Sequence, residues 1–453
     1  MNADHSGAVS HSTLGGAMDR RRRNGLAIIA VVIFVAALAA LGAIGTDVGL
    51  KDASTTTTSI SSVPVIVNPY AAEEARNVLA AQKDVNAQLP TTEGAPAPSL
   101  PSRQYRVPLA AHQVVGFVPY YELTNIGSED LAPFTDLVYY DLAATKSGTL
   151  VEAGPSSGGW TALQNGGAAA LVSTGHAEGD RVLLSVFSES QSVLGPLSAN
   201  ASVTGPRLAG ELATLLARYG FDGVDLDLEG GAASDRAGFV KFVAAFSSRL
   251  TAIDGSGTIM LNTYPQSAED PTGFLDVQAL APYVDQLFVM AYDMERDSQI
   301  PSANAPLTGA DLSDASALAT YDHAGLGPKT ILGVPFYGYD FPAAGPKPGT
   351  AATAQPYAVT YDQVAVSEAD DGHKPLWDPV TDTAYTVFRL VRQWHQTWYD
   401  DPVSIALKTA LAAQFKVAGV GAWEIGMVAT QPEMISALAG GSRVVKLPLA
   451  RQP

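Results

Sequence analysis

The chain has no cysteine in 453 residues, which excludes disulfides, thiolate metal sites and cysteine nucleophiles and leaves stability to the core. It is also poor in positive charge. Lys and Arg total 27 against 45 Asp and Glu, a net charge of −18, so the main body lacks the clustered cations that phosphate binding requires. A nucleic-acid partner is not expected, and a neutral or cationic one fits better. What is present is apolar: 47% of residues are hydrophobic, enough for one large domain with a sizeable core plus appendages.

The N-terminus reports a compartment. Arg20 to Arg23 stand directly before an apolar run at 25–45, about 20 residues and long enough to cross a bilayer core as a helix, with the basic end (1–24) cytoplasmic. A cleaved signal peptide is the alternative, since Ala37, Ala39 and Ala40 offer small residues for a peptidase. On either reading the rest of the chain is exported. From 46 to 106 the composition turns to Thr, Ser, Pro and Ala, a linker that cannot bury enough apolar surface to offset its ordering entropy. Within it, 70–89 has the spacing of a short exposed helix.

The remaining domain, 107–445, is organised around Phe221-Asp222-Gly223-Val224-Asp225-Leu226-Asp227-Leu228-Glu229. This reads as a strand flanked by amphipathic helices, and strand side chains alternate between faces. Asp225, Asp227 and Glu229 therefore share one face, and Val224, Leu226 and Leu228 the other. A solvated edge strand would also explain the alternation, but the apolar flanks favour a strand covered by helices. Seven similar runs, at 114–119, 136–143, 181–187, 258–264, 286–292, 330–336 and 419–424, alternate with helical patterns clearest at 207–219, 235–250 and 404–415. Eight such units predict an α/β fold, a closed (β/α)8 TIM barrel with the acidic strand fourth; an open doubly wound sheet is the alternative. An aromatic-rich insertion at about 339–402 follows the seventh strand, and 375–387 reads as a hairpin within it.

In a barrel, chemistry gathers where strands end, and Glu229 sits at such an end. Its neighbour Asp227 lies two residues back on the same face, about 6 to 7 Å along the backbone, with Asp225 deeper. A carboxylate neighbour favours a protonated Glu229, as a general acid requires. A carboxylate cage for magnesium or calcium is the competing reading, though no histidine accompanies the acids.

The segment Asp222 to Glu229 resembles the DGxDxDxE signature of family 18 glycoside hydrolases, the chitinases and N-acetylglucosaminidases. Phe288-Val289-Met290-Ala291-Tyr292-Asp293 is similar to the sixth-strand MxYD element, and Gly421-Ala422-Trp423-Glu424 to the eighth-strand tryptophan element. Asn304-Ala305-Pro306-Leu307 and Gly333-Val334-Pro335-Phe336-Tyr337-Gly338 also resemble family segments. Two departures stand out: Ser185-Val186-Phe187-Ser188 on the third strand in place of SxGG, and Leu228 where an aromatic is usual. Because Leu228 faces outward, it should alter helix packing and leave the site alone.

The resemblance implies a retaining, substrate-assisted glycosidase, an exception to the two-carboxylate rule, acting on β-1,4-linked N-acetylglucosamine polymers, either chitin or peptidoglycan. Glu229 would be the acid. Asp227 would hold the acetamide, with Asp225 sharing its proton, and Tyr292 would donate to the acetamide oxygen. Trp423 would form the sugar floor, with Met290, Asp293, Tyr264 and the insertion's Trp377 also at the substrate. Tyr292, Trp423 and Trp377 each have a plain packing role as the alternative. No cofactor or metal and a monomeric state are expected. A non-catalytic lectin on the same barrel is the competing function, disfavoured by the intact Glu229.

Overall fold

The computed structural model describes residues 113–123, 131–254, 257–294, 299–370 and 373–444. The expected anchor at 25–45, the linker and its short helix lie outside these residues. Among the described residues no helix is long and apolar enough to cross a membrane.

The first seven barrel strands are β1 (Gln113–Pro119), β2 (Asp136–Ala143), β3 (Arg181–Ser188), β4 (Gly223–Leu228), β5 (Thr258–Thr263), β6 (Gln286–Met290) and β7 (Thr330–Pro335). An insertion then supplies β8 (Tyr337–Ala343), β9 (Tyr357–Thr360), β10 (Leu376–Asp378), β11 (Thr383–Leu390) and β12 (Gln393–Tyr399) before β13 (Gly419–Trp423) closes the barrel against β1 and β7. All eight barrel pairings are parallel, so the (β/α)8 expectation holds. Its strand boundaries hold to within two residues.

The helices, in chain order, are α1 (Gly158–Gln164), α2 (Gly167–Glu178), α3 (Gln191–Ala199), α4 (Ala201–Tyr219), α5 (Arg236–Asp254), α6 (Val277–Leu280), α7 (Asp314–His323), α8 (Tyr361–Asp370), α9 (Pro402–Phe415) and α10 (Pro432–Val444). The strand period sorts the core into two parts. Val224, Leu226 and Leu228 face outward into one cluster with Leu208 and Leu212 of α4 and Phe242 and Phe246 of α5. A separate cluster of Val115, Phe117, Val138, Leu183, Met260, Phe288, Met290 and Ile331 fills the barrel interior. Phe288 needs glycine opposite it: a Cβ on Gly333 or Gly421 would lie 2.6 Å from its ring. Burying that ring contributes about 1.5–3 kcal/mol, and it fills part of the barrel interior.

The insertion is more ordered than a single hairpin. Its strands form an antiparallel sheet in the order β10-β11-β12-β8-β9, beginning at Tyr337, two residues before the expected start. The expected hairpin is the β10–β11 pair, turned by Asp378, whose carboxylate accepts the N–H groups of Val380 and Thr381. The chain then returns to the barrel through α9, started by a capping box in which Asp401 accepts the N–H of Ser404 at 2.8 Å.

Candidate active site

Every residue of β4 is buried, including Asp225 (0% exposed) and Asp227 (3%). Two acids inside a barrel must be hydrogen-bonded or protonated. Ser185 of β3 donates to Asp225 Oδ2 at 2.7 Å, so the serine that this strand keeps from the SxGG pattern places a hydroxyl at the base of the site, and the departure is confined to Phe187 and Ser188. Burial nevertheless pushes the Asp225 carboxyl up to about 7, with the Ser185 hydroxyl pulling the other way. Asp227 is driven well above the ordinary range, first by burial and then by Glu229 and Asp225, against hydrogen bonds from Asn262 and Tyr140. The fourth acid of the motif has a different job. Asp222 accepts the Val182 N–H and pairs with His176, each at 2.8 Å, at the opposite end of the strand.

Glu229 follows the strand directly, its N–H bonded to the Ser188 carbonyl at 2.8 Å. Burial raises its carboxyl above the usual range, and hydrogen bonds to Tyr264 and Asp227 oppose this. A cavity of about 560 Å³ opens over it, lined by Asp227, Glu229, Met290, Tyr292, Asp293 and Trp423 among others. All of the sequence-predicted site residues except Asp225 and Trp377 line this cleft, with Asp225 directly beneath. Trp423 packs edge-on against Tyr140, centroids 4.7 Å apart, leaving an indole at the floor. Burial and the surrounding carboxylates raise the Tyr292 phenol well above its usual range, so it stays a neutral donor.

Asp293 is held in place. Its backbone is left-handed (φ 57°), its N–H is received by Asn304 Oδ1 at 2.8 Å, and Oδ1 accepts the hydroxyls of Tyr337 and Tyr339, both at 2.7 Å. Asn304 also donates to the Tyr337 carbonyl at 3.2 Å. The insertion's first strand therefore grips the end of β6.

Trp377 does not face the cleft. It is 1% exposed and packed in the main core, while the preceding residue, Leu376, lies against the cluster of Tyr337, Tyr339 and Tyr385. A shift of one residue along a strand exchanges faces, and in so short a strand the sequence does not say which face is covered. Sequence reading also missed Tyr140, Asn262, Tyr337 and Tyr339. Asn262, a polar residue two positions after the inward Met260 on the same face of β5, carried a usable signal.

The sequence pattern of glycosyl hydrolases family 18 matches residues 112–427. YdhD of Bacillus subtilis (strain 168), named a putative sporulation-specific glycosylase, is 27% identical over 224 residues, 48% of this chain and 50% of that protein. The di-N-acetylchitobiase of Mus musculus is 31% identical over 166 residues, 32% of this chain and 43% of that protein. The chain thus spans about half the length of the curated relatives it matches. A chitinase from Cycas revoluta in complex with (GlcNAc)3 has the same fold, with TM-score 0.61 and 19% identity over 73% of this chain and 99% of that one. With the barrel, the acid strand and a family match over most of its length, the chain belongs to family 18 of the glycosyl hydrolases.

Proposed function

We propose that the chain hydrolyses β-1,4 linkages of N-acetylglucosamine-containing glycans with retention of configuration, using the substrate's own acetamide as nucleophile. The observation that carries this is Glu229, a carboxyl raised above the usual range by burial at the open end of the barrel, with Asp227 buried on the same face below it. Glu229 gives its proton to the glycosidic oxygen as the C1–O bond breaks, and the acetamide oxygen bonds to C1 to form an oxazolinium. Asp227 holds the acetamide N–H and stabilises the developing positive charge, Asp225 below it shares a proton, and Tyr292 donates to the acetamide oxygen. Trp423 supports the sugar ring. Water, giving a proton to Glu229, then attacks C1 on the face that the leaving group vacated, opposite the C1–O bond of the oxazolinium, which breaks and restores the acetamide. The relatives' names, a chitobiase and a sporulation glycosylase, keep both chitin and peptidoglycan as substrates to be tested.

The site would work outside the cytoplasm. Arg20 to Arg23 before the apolar run at 25–45, followed by the Thr- and Pro-rich linker, support a single-pass protein whose barrel is tethered on the outer face, or released if that run is cleaved. Protease added to intact cells should remove a tethered barrel and leave a small membrane-bound stub.

The experiment incubates the full chain with chitin oligomers, purified peptidoglycan, cellulose and fully deacetylated chitosan, identifying new reducing ends by mass spectrometry. Cleavage confined to acetamide-bearing glycans is expected. Cleavage of cellulose would overturn substrate assistance, and binding without turnover would make the protein a lectin.

A further inference from the structure

Tyr264 follows β5 directly, and sequence reading places it among the sugar-contacting residues. Its hydroxyl is already engaged on the protein. It accepts the Gly230 N–H at 3.3 Å and donates to the Glu229 carboxyl. That first bond depends on a turn only glycine adopts easily: Gly230 has φ +71°, and a Cβ there would lie 2.9 Å from the Glu189 carbonyl. The Gly230 N–H occupies an acceptor site of the hydroxyl and leaves its hydrogen for the Glu229 carboxyl, the direction in which that bond lowers the acid and raises the phenol. The tyrosine is also anchored through its backbone. Its carbonyl receives the Tyr321 hydroxyl at 2.9 Å and the Ser267 N–H at 3.1 Å, and its own N–H reaches Ser267 Oγ at 3.3 Å.

We propose that Tyr264 is a positioning residue for the catalytic acid: it orients the Glu229 carboxyl and stabilises the carboxylate left after the proton has moved to the glycosidic oxygen. This rests on the reading of Glu229 as the acid. The phenol itself gives up no proton, because burial and the Glu229 charge hold it far above the acid's range. The proton that leaves Glu229 goes to the departing sugar oxygen, and the hydrogen bond from Tyr264 shortens onto the new anion. No other described neighbour does this job. Glu189 after β3 and Asp293 after β6 raise the Glu229 carboxyl, and Asp227 is a carboxyl partner rather than a permanent donor. The phenols of Tyr140 and Tyr292 both feel the Glu229 charge, but the hydroxyl hydrogen-bonded to Glu229 belongs to Tyr264.

The test is Tyr264→Phe in the full chain, with kcat and KM on chitin oligomers measured across pH. Hydrogen bonds to charged groups correspond to about a ten- to hundredfold effect, so kcat should fall by that factor while KM moves less than about threefold. Losing a donor that favours the carboxylate raises the Glu229 pKa, so the alkaline limb of kcat/KM should move up, by about one pH unit for a tenfold effect. Replacing Tyr264 with 3-fluorotyrosine, a stronger donor of nearly the same shape, should move the limb down and serves if the Phe variant fails to fold. A raised KM with an unmoved limb in either variant would make Tyr264 a sugar contact and overturn the proposal. If the native chain has no turnover, the functional reading fails. An NMR titration of the Glu229 side chain then decides the positioning role alone, and an unchanged midpoint in both variants would refute it.

Discussion

Two sets of acids are equally deep in this protein and have opposite surroundings. Asp225 and Asp227 on β4 have no lysine or arginine among the groups that shift them. Asp314 of α7 and Asp400 before α9 flank Lys408, whose Nζ lies 3.0 and 3.1 Å from them and also donates to the Ala305 carbonyl. All three members of that trio are nearly inaccessible (0%, 2% and 0%). Burial raises the Asp314 carboxyl to about 7 even so, and the two acids hold Lys408 protonated. Where a cation is supplied, buried carboxyls join α7 and α9 through an ion trio. Where none is supplied, burial acts on the carboxyls with only hydrogen bonds against it, and a raised carboxyl is what glycoside cleavage uses.

The largest test of that contrast is on the unpaired side. Glu229→Gln keeps shape and hydrogen bonding but delivers no proton, so kcat should fall at least about a hundredfold while calorimetry still detects chitin-oligomer binding. Retained turnover in the folded variant would move the acid elsewhere. On the paired side, Lys408→Met turns the trio into an uncompensated pair of acids. Urea unfolding should show a loss of about 3–5 kcal/mol, largely recovered when Asp314→Asn and Asp400→Asn are added. An unchanged midpoint in Lys408→Met alone would mean the cation is dispensable.

The smallest effect concerns pH. Asp225 has its folded carboxyl raised to about 7, against about 3.9 when unfolded. A raised group contributes stability that is fully present below the unfolded value and is lost as pH rises through the folded one. The native chain should therefore lose stability between about pH 4 and 7, and Asp225→Asn should flatten this by about 1–3 kcal/mol, read from melting curves. Parallel curves for the two proteins would place the burial penalty on another acid.

Much of the site was legible because strand alternation is a local property. Asp225, Asp227 and Glu229 fall on one face whatever surrounds them, and the following strand ends, Tyr264, Tyr292 and Trp423, could be placed at the mouth once eight strands were counted. Lys408 was harder to read. A single lysine in the apolar helix Pro402–Phe415 looks like a solvated position until its two acids, distant in sequence, are seen beside it. Trp377 shows a different limit: the pattern found its hairpin, but only packing decided which side of that hairpin is covered.

The sequence by itself determined the order of elements, the inward face of the acids and the family, since these depend on spacing along one chain. Only the tertiary structure decided that Ser185 bonds Asp225, that Tyr140 and Asn262 bond Asp227, that Tyr264 bonds Glu229, and that two tyrosines of the insertion hold Asp293. It also decided which acids burial pushes above the ordinary range. The reason is that desolvation and cross-strand hydrogen bonds arise only when the barrel closes, bringing groups from different strands into a volume that water does not reach.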